Sequence, residues 1–152
     1  MLVSLIALAL AAAPTDAERV AIFEAAGFSQ RSGEWKSGNC DGFESNAYEP
    51  GTIESYRDLD GDGRPEALII EGGAVCYGNT GVTFWLLSKQ AIGSWKVLHS
   101  GLGHPEFLDN NGAGGWPDIR VGLPGLCYPI LRFNGSTYAI HRREYEGKPC
   151  KR

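Results

Sequence analysis

The sequence predicts a mainly β fold with a short N-terminal helix. Its antiparallel hairpins form two stacked pseudo-repeats of about 51 residues, stabilised by disulfides. Three observations predict this. Glycine supplies 21 of the 152 residues, about twice its usual share, and with eight prolines it favours tight turns and short strands over long helices. Runs such as VTFWLL (82–87) and YPILRF (128–133) have strand composition. Finally, the stretch from Ser55 to Tyr77 returns in altered form from Glu106 to Tyr128. A chain of 152 residues suits one domain that buries roughly two-thirds of its unfolded surface. Hydrophobic residues at 43% argue against disorder, and a net charge of −4 without a basic stretch argues against a nucleic-acid partner.

At the amino end, Leu2 to Ala13 carries no charge and one polar side chain, Ser4. As a helix this run rises about 18 Å, short of the ~30 Å hydrocarbon core, so no stable membrane span is expected. Its length and the Ala9-Leu10-Ala11 pattern suit a secretory signal over residues 1–17, although no Lys or Arg precedes the run. Residues 18–152 are then a single β-rich domain, exported to the periplasm or the cell exterior. Thr15 and Glu18 read as a capping box for a helix with Val20, Phe23 and Gly27 on one side. Three hairpins are expected where a polar-glycine turn precedes an aromatic: RSGEW (Gly33), AIGSW (Gly93) and FNGSTY (Gly135). Of these, Asn134-Gly135 has the composition of a two-residue turn with positive φ.

Pseudo-repeats are expected over about 53–100 and 104–145. Asp58 aligns with Asp109, Asp60 with Asn111, Glu66 with Asp118, and Cys76-Tyr77 with Cys127-Tyr128. The four cysteines, Cys40, Cys76, Cys127 and Cys150, contain no CxxC pair, so two disulfides are a better reading than zinc. Three pairings exist. If equivalent positions of the two units approach each other, the bridges are Cys76–Cys127 and Cys40–Cys150.

The strongest motif is DLDGDGRPE, residues 58–66. Carboxylates at alternating positions converge only if the chain curls tightly, and Gly61 and Gly63 permit that curl. Hard oxygen donors of this kind suit calcium. An EF-hand is excluded, because its twelfth position needs a bidentate Glu and here falls on Ile69. The pattern D-x-D-G-D-G-x-x-[DE] running into an apolar strand resembles the calcium loop of FG-GAP or VCBS repeats, the integrin-α type of blade. The run GWPDIRVG…GLCYPILRFNG…Y, Gly115 to Tyr138, also resembles small uncharacterised exported bacterial proteins. The loop resemblance covers Tyr56 to Ile70 and implies a structural calcium ion held by Asp58, Asp60, Asp62, Glu66 and the Arg64 carbonyl. The chain has room for two or three such units, so a full propeller is not implied. In the second loop Asn111 and Ala113 replace two of the carboxylates and Trp116 breaks the spacing. That loop, with Asp109, Asn111 and Asp118, is expected to be degenerate and to hold no ion.

Catalytic patterns are sparse. No G-x-S-x-G or H-E-x-x-H occurs, His99, His104 and His141 form no ligand pair, and the GAGG of 112–115 lacks the lysine of a phosphate cradle. The acids Glu34, Glu44, Glu49, Glu54, Glu71 and Glu106 carry no pattern of their own. The expectation is therefore an exported, non-catalytic calcium-binding β module with a structural or protein-interaction role. The alternative is a carbohydrate- or cell-wall-binding protein that stacks glycans on Trp35, Trp85, Trp95 and Trp116.

Overall fold

The structure is a computed structural model that describes residues 12–43 and 46–151. Most of the 1–17 signal segment lies outside the described residues, as does Glu44. Helix α1 (Asp16–Ala25) starts at the expected capping box, with Thr15 accepting from the Glu18 N–H and Glu18 accepting from the Thr15 N–H. Gly27, with φ 84°, follows its C-terminus. Its buried face is Ile22 and Phe23, whereas Val20 is 41% exposed. Phe23 is buried as expected, but Ile22 in place of Val20 completes the face that meets the sheet.

Strands β1 (Ser29–Arg31) and β2 (Glu34–Lys36) form a hairpin closed by Ser32 and Gly33, both at positive φ. Strands β3 (Glu49–Arg57), β4 (Glu66–Gly72), β5 (Val82–Lys89) and β6 (Trp95–Leu102) make a four-stranded antiparallel sheet in chain order. One helical turn, α2 (Ala74–Tyr77), and a 3₁₀ turn link β4 to β5. A second antiparallel sheet holds β7 (His104–Phe107), β8 (Ile119–Gly122), β9 (Tyr128–Phe133), β10 (Tyr138–Tyr145) and β11 (Lys148–Pro149), again in chain order.

The first sheet is the middle layer, as the alternation along β4 and β5 shows. Ala67, Ile69, Trp85 and Leu87 face Ile22, Phe23 and Phe28 of the helix side. Leu68, Phe84 and Leu86 face Trp116, Ile119, Val121, Leu131 and Tyr138 of the second sheet. A strand covered on both faces reads as a continuous apolar run, which is why ALII and VTFWLL show no polar alternation.

The FNGSTY hairpin forms, but not through positive φ at Asn134. Phe133 pairs with Tyr138, and the Asn134 carboxamide oxygen accepts from the N–H groups of Ser136 and Thr137, while Gly135 alone takes positive φ. The disulfides also differ from expectation. Cys40 bonds to Cys76 and Cys127 to Cys150, in place of Cys76–Cys127 and Cys40–Cys150. Each bridge stays within its own end of the chain. Cys76 lies beyond β4 beside the segment that precedes β3, and Cys127 lies before β9 beside the chain that leaves β10.

Candidate metal centre

The turn from β3 to β4 is built by its own acids. The Asp58 carboxylate accepts from the Gly61 N–H at 2.7 Å and the Gly63 N–H at 2.8 Å. Asp60 accepts from the Asp62 N–H at 3.1 Å. Gly61 and Gly63 take φ of 81° and 84°, the left-handed conformation that lets successive N–H groups turn inward. Glu66, the first residue of β4, is 1% exposed. It accepts from the Leu59 N–H at 2.7 Å and from the Ser88 hydroxyl at 2.9 Å.

Oxygens of Asp58, Asp60 and Glu66 come within 4.8 Å of one another. These are three of the five expected ligands. Asp62 is drawn away, since it accepts from the Arg64 N–H and its carboxylate lies 2.5 Å from the Arg64 guanidinium. A small cavity of about 160 Å³ opens beside the turn, lined in part by Asp60, Asp62 and Ser88.

The three acids titrate differently. Burial works to raise Asp58, but the N–H groups of Gly63 and Gly61 outweigh it and hold the carboxyl below its ordinary range. Burial raises Asp60, and the neighbouring Asp62 and Asp58 charges add to it. Glu66 is pushed up to about 7, chiefly by burial, with the Leu59 N–H and Ser88 hydroxyl opposing and the charges of Asp60 and Asp62 adding. Three carboxylates at this spacing repel by about 1–3 kcal/mol per ionised pair, so a divalent cation is the natural complement. The oxygen-only donor set fits a hard ion such as calcium.

The second loop is organised otherwise. Asp118 is fully buried, yet its carboxylate takes two hydrogen bonds from Arg132, each at 2.9 Å, and lies 3.3 Å from Arg142. The Arg132 hydrogen bond, with that of Arg142, holds its pKa down against burial. The backbone carbonyl of Asp109 accepts from the N–H groups of Asn111 and Asp118. This loop also braces the first: the Asn110 amide donates to the Leu59 carbonyl at 3.2 Å, and a Cβ built on Gly115 would lie 3.6 Å from the Asp60 carbonyl. Spacing alone reveals neither contact, because both cross between turns about 50 residues apart.

A second acid was missed. Glu71, fully buried near the end of β4, accepts from the Ser37 N–H at 3.0 Å and the Ser37 hydroxyl at 2.5 Å. It also accepts from the Tyr48 hydroxyl at 2.7 Å and from the Tyr77 hydroxyl. A charge inside the apolar run ALIIEG was its sequence signal. The four tryptophans form no open platform. Trp35 stacks on Phe23, Trp85 packs against Phe28, Trp95 against Tyr56 and Trp116 against Phe133, and none is exposed. Of the three histidines, His99 sits beside Phe84 in β6 and burial lowers its pKa, while His104 and His141 are exposed.

Comparison of the chain with protein-family models, curated proteins and solved structures returns no match.

Proposed function

We propose that the protein is an exported, non-catalytic calcium-binding β module whose role is structural support or protein interaction. The observation that carries this reading is the convergence of Asp58, Asp60 and Glu66 within 4.8 Å at a glycine-shaped turn. As in the FG-GAP and VCBS loops that the motif resembles, the ion fixes the turn between two strands. Ion binding and local folding are then one equilibrium. Two disulfides favour an oxidising compartment, the periplasm or the cell exterior. No helix among the described residues is long and apolar enough to cross a membrane.

Asp62 completes the ligand set by leaving Arg64, an exchange of one surface ion pair for a divalent partner. Without a bidentate twelfth ligand the expected Kd is about 10⁻⁴–10⁻³ M, the range of extracellular modules. Calcium at about 10 mM then adds about 1.4–2.7 kcal/mol and raises the Tm by roughly 4–8 °C. Thermal melts with calcium, with magnesium and with chelator test this. Asp60→Ala removes the calcium-specific rise. A melting curve that calcium does not move refutes the assignment.

A further inference from the structure

A cavity of about 370 Å³ lies on the helix side of the first sheet, within the size range of small-molecule sites. It is far from the acidic turn. Glu66 pairs with Ser88 at one end of β4 and β5, whereas Glu71 pairs with Thr83 near the other, about 16 Å along the strands. Its walls carry Ser37, Asn39, Tyr77, Thr83 and Ser100, with Trp85 and the half-exposed Leu102 as the apolar part. None of its lining side chains is ionisable at neutral pH. The larger groove of about 590 Å³, by contrast, holds Glu106 and Arg120, and the cavity at the acidic turn holds Asp60, Asp62, Arg64 and Lys96.

The hydroxyls of this cavity have fixed polarity. Ser37 and Tyr77 each give their proton to the sealed Glu71 carboxylate, and Thr83 gives its proton to the Gly101 carbonyl at 2.9 Å. Burial, with Glu71 next, pushes the Tyr77 phenol up to about 12, so it stays protonated. The Thr83 oxygen therefore offers lone pairs, and the Ser37 oxygen keeps one, since it already accepts from the Asn39 N–H at 3.1 Å. The Tyr77 oxygen is met in part by Ser37 and Asn39, while the exposed Asn39 amide, with a second N–H, and the exposed Ser100 hydroxyl supply donors. A charged ligand finds no counter-ion there, because Glu71 is closed off by four donors. A ligand hydroxyl, both donor and acceptor, satisfies such a wall, and the half-exposed Leu102, with the small accessible part of Trp85, is its apolar contact.

We propose that this cavity is a second binding site, one for a small neutral polyhydroxylated ligand of about monosaccharide size. Thr83 and Ser37 accept from it, Asn39 and Ser100 donate to it, and Glu71 is a positioning residue that orients Ser37 and Tyr77. The site is independent of the calcium reading, so its test is run in chelator, where failure of one leaves the other standing.

The test is a ¹⁵N–¹H NMR titration of the intact, oxidised protein with D-glucose, D-galactose and glycerol, against spermidine and acetate as charged controls. The expected result is a saturable shift for at least one hexose, confined to the amides of Ser37, Asn39, Thr83, Ser100 and Gly101 and the Trp85 indole N–H. Asn39→Ala and Ser100→Ala alter exposed side chains and should leave the fold intact. Each weakens that hexose about fivefold, the loss of one hydrogen bond. The fully O-methylated hexose, which cannot donate, should not bind. No saturation by either hexose up to about 100 mM, shifts mapping elsewhere, or an equal response to the charged controls overturns the proposal.

Discussion

Glu66 begins β4 and Asp118 immediately precedes β8, and the two acids are partnered in opposite ways. Asp118 has two guanidinium partners from its own sheet, Arg132 and Arg142, whereas Glu66 has only an N–H and a hydroxyl. Removing Asp118 takes the carboxylate from Arg132, which is 31% exposed, while Arg142 keeps Glu144 at 3.0 Å. Asp118→Ala should therefore cost about 1.5–3 kcal/mol in urea unfolding, the loss of charge-assisted hydrogen bonds, and a loss below about 1 kcal/mol would count against this account. Glu18 makes a smaller, pH-dependent contribution. With residues 15–17 in place, the Lys89 ammonium at 2.6 Å, then the Thr15 N–H and the Tyr56 hydroxyl, hold its pKa at about 2. A depressed carboxyl stabilises fully above its unfolded value near 4.5 and loses that contribution as pH falls towards 2. Because the pair is partly exposed, the loss is held to about 1 kcal/mol or less. Urea midpoints between pH 6 and pH 2 should fall less steeply for Lys89→Met than for the native chain, and equal slopes would refute the coupling. At this scale the acidic turn was legible because its carboxylates and glycines alternate. The pull of Arg64 on Asp62 was not, since an ion pair two residues away competes with the centre without altering the spacing.

Elements were legible where their signals are local. The Thr15–Glu18 box and Gly27 bracket α1 because a cap depends on residues three apart. The docking face was less legible, because the sheet selects Ile22 and Phe23 over Val20. Phe23 is 1% exposed, stacks on Trp35 with ring centres 4.7 Å apart and touches Phe28 edge-on at 5.4 Å. Phe23→Ala should cost about 3–5 kcal/mol and loosen the β1–β2 hairpin along with the helix. Near-UV circular dichroism and urea midpoints read the two effects, and a loss below about 1 kcal/mol would mean that helix and hairpin dock independently. At the β9–β10 turn, Asn-Gly pointed to the correct hairpin for an incomplete reason. The carboxamide of Asn134 replaces a backbone acceptor, so the dipeptide composition was informative while its conformation was not.

The whole molecule is two meanders stacked through one core, with the helix and the first hairpin covering the outer face of the first sheet. The repeat pointed to stacked sheets but not to the cysteine pairing. Cys76 and Cys127 share a place in the alignment, yet α2 carries Cys76 to the segment before β3, while Cys127 faces the chain leaving β10. Symmetry places equivalent atoms in equivalent surroundings and sets no distance between them. The two bridges close loops of 36 and 23 residues, so each restricts its own half of the unfolded chain by about 3–4 kcal/mol. The Cys40–Cys76 bridge also joins the segment that supplies Ser37 to the turn that supplies Tyr77, two donors of the buried Glu71. Replacing that pair by serine should therefore cost more than its loop entropy, because Glu71 loses organised donors and admits water. Replacing Cys127 and Cys150 removes the loop restriction without disturbing a buried carboxylate. Urea unfolding of the two double variants should show the first as the less stable, with the gap narrowing when Glu71→Gln is added to both. Equal losses, or a gap that Glu71→Gln leaves unchanged, would separate the bridge from the carboxylate it encloses.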